Sequence, residues 1–119
     1  MLQIGTTVMG VGDLGRAVSF WMQVLDYVPK RPVAADDDFT ILVPRSGDGA
    51  HLALDLSETP VQQYPRVHLD LYAADQSVEV ARLIGLGATR VDWDRYPPDP
   101  DFVVLADPEG NKFCVIDKS

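Results

Sequence analysis

The feature that most restricts this chain is that it carries the same pattern twice. A helix-capping aspartate, Asp13, follows the β-branched run Thr6-Thr7-Val8-Met9, and a second, Asp75, follows the alternating run Val67 to Tyr72. The two caps are 62 residues apart, and so are Asp55 and Asp117 at the ends of the last apolar run of each half. The Asp-Phe pairs beginning at 38 and 101 differ by 63, as a one-residue loop insertion produces. Half of a chain this short cannot bury both sides of a sheet alone, so the repeat predicts two modules that share one fold.

Within each half the periodicities name the elements. Leu14, Ala17, Val18, Trp21, Val24 and Leu25 recur at three- and four-residue steps, which predicts a helix ending near Asp26, with Pro29 and Pro32 preventing its continuation. Strands are expected at Phe39 to Val43 and His51 to Leu56, joined through Ser46-Gly47-Asp48-Gly49. In the second half, Val80, Leu83, Ile84 and Leu86 form a helix stopped by Gly87. Strands follow at Thr89 to Trp93, Phe102 to Leu105 and Lys112 to Ile116. The order is βαβββ, twice. This predicts an α+β fold and one domain over 1–119, with modules at about 3–57 and 66–118. A curved mixed sheet would surround a cavity, with the helices outside.

Charge and cysteine usage remove several function classes. Eighteen acidic residues against ten basic ones leave a net charge of −8, which repels nucleic acid and anionic lipid surfaces. A single cysteine, Cys114, excludes an internal disulfide and suits a reducing cytoplasm. Neither a membrane span nor a signal peptide is visible, and the chain is read as complete and cytoplasmic.

His68, Asp70 and Tyr72 alternate along one strand, so their side chains share a face while Leu69 and Leu71 take the other. An imidazole, a carboxylate and a phenol there can hydrogen-bond a polar ligand or pass a proton, making His68 and Asp70 the candidate catalytic pair. The competing reading pairs Asp70 with an arginine and leaves His68 a satisfied interior histidine. Trp93, Tyr96 and Phe102 bracket the loop Tyr96-Pro97-Pro98-Asp99-Pro100, either as a wall for a flat organic ligand or as cover for a hydrophobic edge; Phe39 shares that ambiguity. Trp21 belongs in the core. The aspartates at 36 to 38 and at 92, 94, 99 and 101 lack the spacing of a calcium loop, and no dinucleotide or nucleophile motif is present.

The doubled unit, with Asp13-Leu14-x-x-Ala17-x-x-Phe20-Trp21-x-x-Val24-Leu25 in the first half and Asp107-Pro108-Glu109-Gly110-Asn111 before the last strand, resembles the vicinal oxygen chelate superfamily. That group comprises glyoxalases, bleomycin-resistance proteins and extradiol dioxygenases; His68-Leu69-Asp70-Leu71 and Gly110 to Val115 are similar to its glyoxalase-like branch. The resemblance implies a divalent metal held by His, Gln or Glu on the first and last strands of each half. Spacing puts those positions at Thr6, Leu52, His68 and Cys114, of which only His68 is an ordinary ligand. The expectation is therefore a metal-free protein without a cofactor. It would bind a small organic molecule through Thr6, Leu52, His68, Asp70, Tyr72, Trp93, Phe102 and Cys114, for sequestration or simple proton transfer. The alternative is a metal-dependent lyase, isomerase or dioxygenase acting on vicinal oxygens, with His68 and Cys114 as half of a site. A third reading is a scaffold with an empty cavity. The resemblance also implies a homodimer.

Overall fold

The computed structural model describes residues 1–119. It divides into two compact units, Met1–Thr59 and Pro60–Ser119. The first contains β1 (Thr6–Val11), α1 (Leu14–Leu25), β2 (Tyr27–Pro29), β3 (Phe39–Pro44) and β4 (His51–Leu56). The second contains β5 (Asp70–Ala73), α2 (Gln76–Leu86), β6 (Thr89–Arg90), β7 (Phe102–Ala106) and β8 (Lys112–Asp117). Both units read βαβββ, as the repeat predicts, and the fold is α+β. Each forms its own four-stranded mixed sheet, ordered β1-β4-β3-β2 and β5-β8-β7-β6. The first and last strands of each unit pair in parallel, and the remaining neighbours are antiparallel.

Both helices start where the aspartates place them. Asp13 accepts the Arg16 N–H at 3.0 Å and Asp75 accepts the Val78 N–H at 3.3 Å, each satisfying a donor that the first helical turn leaves open. Gly87 ends α2 at φ 122°, an angle that disfavours any side chain. The same task at the end of α1 falls to Asp26, in the left-handed region at φ 54°.

In the first unit, Leu42, Leu52 and Leu54 are buried on the side of the sheet that α1 covers with Ala17, Phe20 and Trp21. The other face of that sheet is open, with Val8 55% exposed and Phe39 also exposed. In the second unit, Leu105, Phe113 and Val115 fill the helix side together with Val80 and Leu83 of α2. The ladder Asp70↔Cys114, Tyr72↔Ile116, Phe102↔Ile116 and Val104↔Cys114 places those residues on the opposite face.

Three expectations about the elements are corrected. β5 begins at Asp70, so Val67 and His68 precede the strand, although the Cys114 N–H still reaches the Leu69 carbonyl at 2.9 Å. β6 stops at Arg90, short of the expected Trp93, because the Trp93 N–H turns back onto the Val91 carbonyl at 2.9 Å. β2 follows α1 directly, where periodicity showed no strand; it is three residues long and pairs Tyr27 to Pro29 with Pro44 to Leu42.

The repeat register is corrected too. Val8 pairs with Ala53 and Asp70 pairs with Cys114, so the first strands correspond at an offset of 62 but the last at 61. The hydrogen bonds from Leu56 to Asp38 and from Asp117 to Asp101 give the same result. The counterpart of Cys114 is therefore Ala53. Leu52, expected among the ligand-binding residues, is 3% exposed in the helix-side core, because a one-residue slip along a strand reverses its face.

Candidate functional site in the second unit

Asp70 and Cys114 are register partners on neighbouring parallel strands, and His68 sits two residues before Asp70, so one patch of sheet gathers all three. The His68 ring lies with Nε2 3.0 Å from Asp70 Oδ1. A carboxylate oxygen accepts the Nε2 proton, and in the neutral imidazole Nδ1 is then the bare acceptor. Both side chains remain about half exposed, so the pair adds little to stability and serves orientation.

Cys114 is 9% exposed and belongs to an apolar cluster with Val104 and Ile116, against which Val91, Trp93 and Phe102 pack. Burial is the first reason that its thiol is pushed up to about 11; the adjacent Asp70 charge and a hydrogen bond to Asp70 add to it. The group is a neutral thiol at physiological pH. It is expected to react with iodoacetamide at pH 7 roughly a hundredfold more slowly than an unperturbed cysteine, a factor set by the fraction ionised. Mass spectrometry of timed quenches measures this, and labelling as fast as that of a free thiol contradicts the placement.

Around the patch stand the aromatic residues. Trp93 and Phe102 pack against the Cys114 cluster. Tyr72 is on the same face and 73% exposed, with the Lys118 ammonium 4.8 Å over its ring. Tyr96 has an edge-covering role: its hydroxyl accepts the Val104 N–H at 2.8 Å, replacing a bond that the short β6 does not supply. Its ring stacks 5.2 Å from Phe102.

The sequence reading missed Tyr64 altogether. Its hydroxyl donates to the Asp94 carboxylate at 2.8 and 2.9 Å, Arg95 lies 3.7 Å over its ring, and the Trp93 ring packs against it at 5.4 Å, tilted by 60°. The bond to Asp94 holds the phenol proton and raises its pKa. Tyr64 thereby ties the 60–67 segment to the loop that presents Trp93. No local signal could reveal a pair thirty residues apart.

The remaining candidates lie in the first unit. Thr6 is half-buried and pairs with His51. His51 faces the same side as Ala53, the counterpart of Cys114.

The chemistry of the donor set fits a divalent metal. The ligand atoms of His68, Asp70 and Cys114 all lie within 4.8 Å of one another. An imidazole, a carboxylate and a thiol in that compass are donors that zinc-like ions accept together.

A family model described as Glyoxalase-like domain matches residues 6–116. No curated protein matches the sequence. Among solved structures, the chain is similar to a member of the Glyoxalase/bleomycin resistance protein/dioxygenase superfamily from Sphaerobacter thermophilus, at 21% identity and TM-score 0.71, covering 99% of this chain and 98% of the other. A glyoxalase/bleomycin resistance protein/dioxygenase family enzyme from Burkholderia phytofirmans shares 14% identity at TM-score 0.72, with 98% of each chain covered. The fosfomycin resistance protein FosX from Listeria monocytogenes shares 11% at TM-score 0.74, covering 100% and 93%. At these identities the likeness is one of fold.

Proposed function

The chain belongs to the glyoxalase-like domain family of the glyoxalase/bleomycin resistance/dioxygenase superfamily, and from that premise we propose that it binds a small, flat organic molecule on the face of its second unit that carries His68, Asp70 and Tyr72. The observation that carries this reading is the 3.0 Å His68–Asp70 pair, half exposed, beside an apolar strip edged by Trp93 and Phe102. The apolar body of such a ligand lies against the rings of Trp93 and Phe102, which pack over the buried Val104 and Ile116. Its hydroxyl or acidic C–H meets Nδ1 of His68, which can accept a hydrogen bond or a proton while Asp70 holds the imidazolium. Sequestration needs only the first of these. Tyr72 provides a further aromatic surface. Cytoplasmic residence and a homodimer belong to the same reading, the latter tested by light scattering.

Thermal-shift and tryptophan-fluorescence titrations with a panel of aromatic and amphipathic metabolites and antibiotics, run in a chelator, test the proposal. At least one compound is expected to raise the melting temperature in a saturable way, and His68→Ala is expected to weaken its binding tenfold or more. That corresponds to about 1.4 kcal/mol, in the range of a hydrogen bond to a charged-assisted partner. A panel that stabilises nothing, or ligands indifferent to His68→Ala, overturns it.

A second reading, metal-assisted chemistry on a substrate with adjacent oxygens, is favoured by the three-donor cluster alone. A bound divalent ion would act as a Lewis acid on such oxygens. His68, Asp70 and Cys114 would hold it.

A further inference from the structure

We infer that His68 Nε2, an Asp70 carboxylate oxygen and Cys114 Sγ form a three-donor site for a thiophilic divalent cation, complete within the second unit. The family resemblance implies ligands drawn from first and last strands of both halves, but the first-half positions present Thr6 and Ala53, neither an ordinary ligand. The missing donor comes instead from Asp70, two residues beyond His68 and directly opposite Cys114 in the ladder. This rests on the metal reading above and deepens it by naming the donor atoms and the class of ion; it does not require the organic-ligand reading.

Geometry supports the inference. Ligands at about 2.0–2.3 Å from a tetrahedral ion stand about 3.3–3.8 Å from one another. The His68–Asp70 separation is 3.0 Å, and all three donors fall within 4.8 Å, so side-chain rotations of a fraction of an ångström to about an ångström suffice. The backbone of Asp70 and Cys114 is held by the β5–β8 ladder, while His68 lies just outside the strand, exposed and already turned toward Asp70. Three protein donors leave a fourth position for water or a substrate oxygen. Proton balance is simple. The imidazole proton moves from Nε2 to Nδ1, the Cys114 thiol proton goes to solvent, and one proton is released per ion bound.

The thiol also decides which ion. Thiolate, imidazole and one carboxylate suit zinc, cobalt or cadmium; magnesium and calcium need oxygen cages that this patch lacks.

Titrating the purified full chain with cobalt(II) alone tests the site. A thiolate-to-cobalt charge-transfer band in the near ultraviolet is expected at one equivalent, displaced by zinc and unaffected by magnesium or calcium. Cys114→Ser is expected to abolish the band, and Asp70→Asn to weaken cobalt binding at least tenfold, with far-ultraviolet circular dichroism checking the fold. Should Cys114→Ser fail to fold, His68→Ala, an exposed position, carries the test by the same tenfold loss. No charge-transfer band, a band that survives Cys114→Ser, or affinity unchanged by Asp70→Asn overturns the inference. Because no organic ligand is present here and a chelator is present in the ligand screen, each reading can fail without the other.

Discussion

Trp21→Ala is expected to lower the unfolding free energy by about 3–5 kcal/mol, the range for removing a large aromatic side chain from a packed interior. Trp21 is 0% exposed and stands at the middle of α1, its ring 5.1 Å from that of Phe20 in an edge-to-face contact. Ala17, Val18 and Val24 share its stripe, and the buried Leu42, Leu52 and Leu54 form the sheet below. Removing the ring forfeits the contacts that the surrounding side chains make with it. Urea denaturation measures the change as a lowered midpoint with an unchanged slope. Trp93→Ala supplies the internal comparison: that ring is half-buried over the Cys114 cluster, and its removal is expected to cost less than half as much. Equal losses at the two positions would contradict the assignment of one tryptophan to the core and the other to the ligand face.

The contrast between the tryptophans was already legible in the sequence, and the reason is local. Trp21 has apolar neighbours at three- and four-residue spacing, and a helix of that pattern has only one way to hide them. The caps Asp13 and Asp75, the stop at Gly87 and the shared face of Asp70 and Tyr72 were legible for the same reason, since each depends on residues within a turn or a strand of itself. β2 was not. Three residues ending in proline have no period to detect, and they are a strand only because β3 offers Leu42 to Pro44 as partners. Leu52 failed for a different reason. The register was anchored on the identity of Asp55 and Asp117, but Asp117 occupies the place of Leu56, bonded back to Asp101 as Leu56 is to Asp38. A matching residue type is weaker than a ladder as a guide to facing. The candidate site shows both sides of this. His68 and Asp70 were found by alternation, whereas the approach of Cys114 to Asp70 across the sheet, and the Tyr64–Asp94 bond that fixes the Trp93 loop, depend on pairings between distant segments.

The turn that carried the family resemblance explains its own sequence in physical terms and supplies the second large effect. Asp107 is 3% exposed, and its Oδ1 accepts the N–H groups of Glu109 at 2.9 Å and Asn111 at 2.8 Å. The backbone closes on the same residue, with the Gly110 N–H bonded to its carbonyl and its own N–H bonded to the Asn111 carbonyl, both at 2.9 Å. Gly110 holds φ at 88°, where a side chain would be strained and a Cβ would come within 3.4 Å of Val61. The carboxylate thus sets the path by which the chain enters β8, the strand bearing Cys114. Asp107→Ala strips two inward N–H groups of their acceptor and is expected to destabilise the protein by about 2–4 kcal/mol. Asp107→Asn keeps an oxygen at the Oδ1 position and is expected to cost only about 1 kcal/mol, the difference between a charged and a neutral acceptor. Chemical denaturation of the two variants side by side makes the comparison. If alanine and asparagine cost the same, the negative charge and not the two-bond geometry at Oδ1 holds the turn; if neither costs more than about 0.5 kcal/mol, a surface value, the turn is not what positions β8.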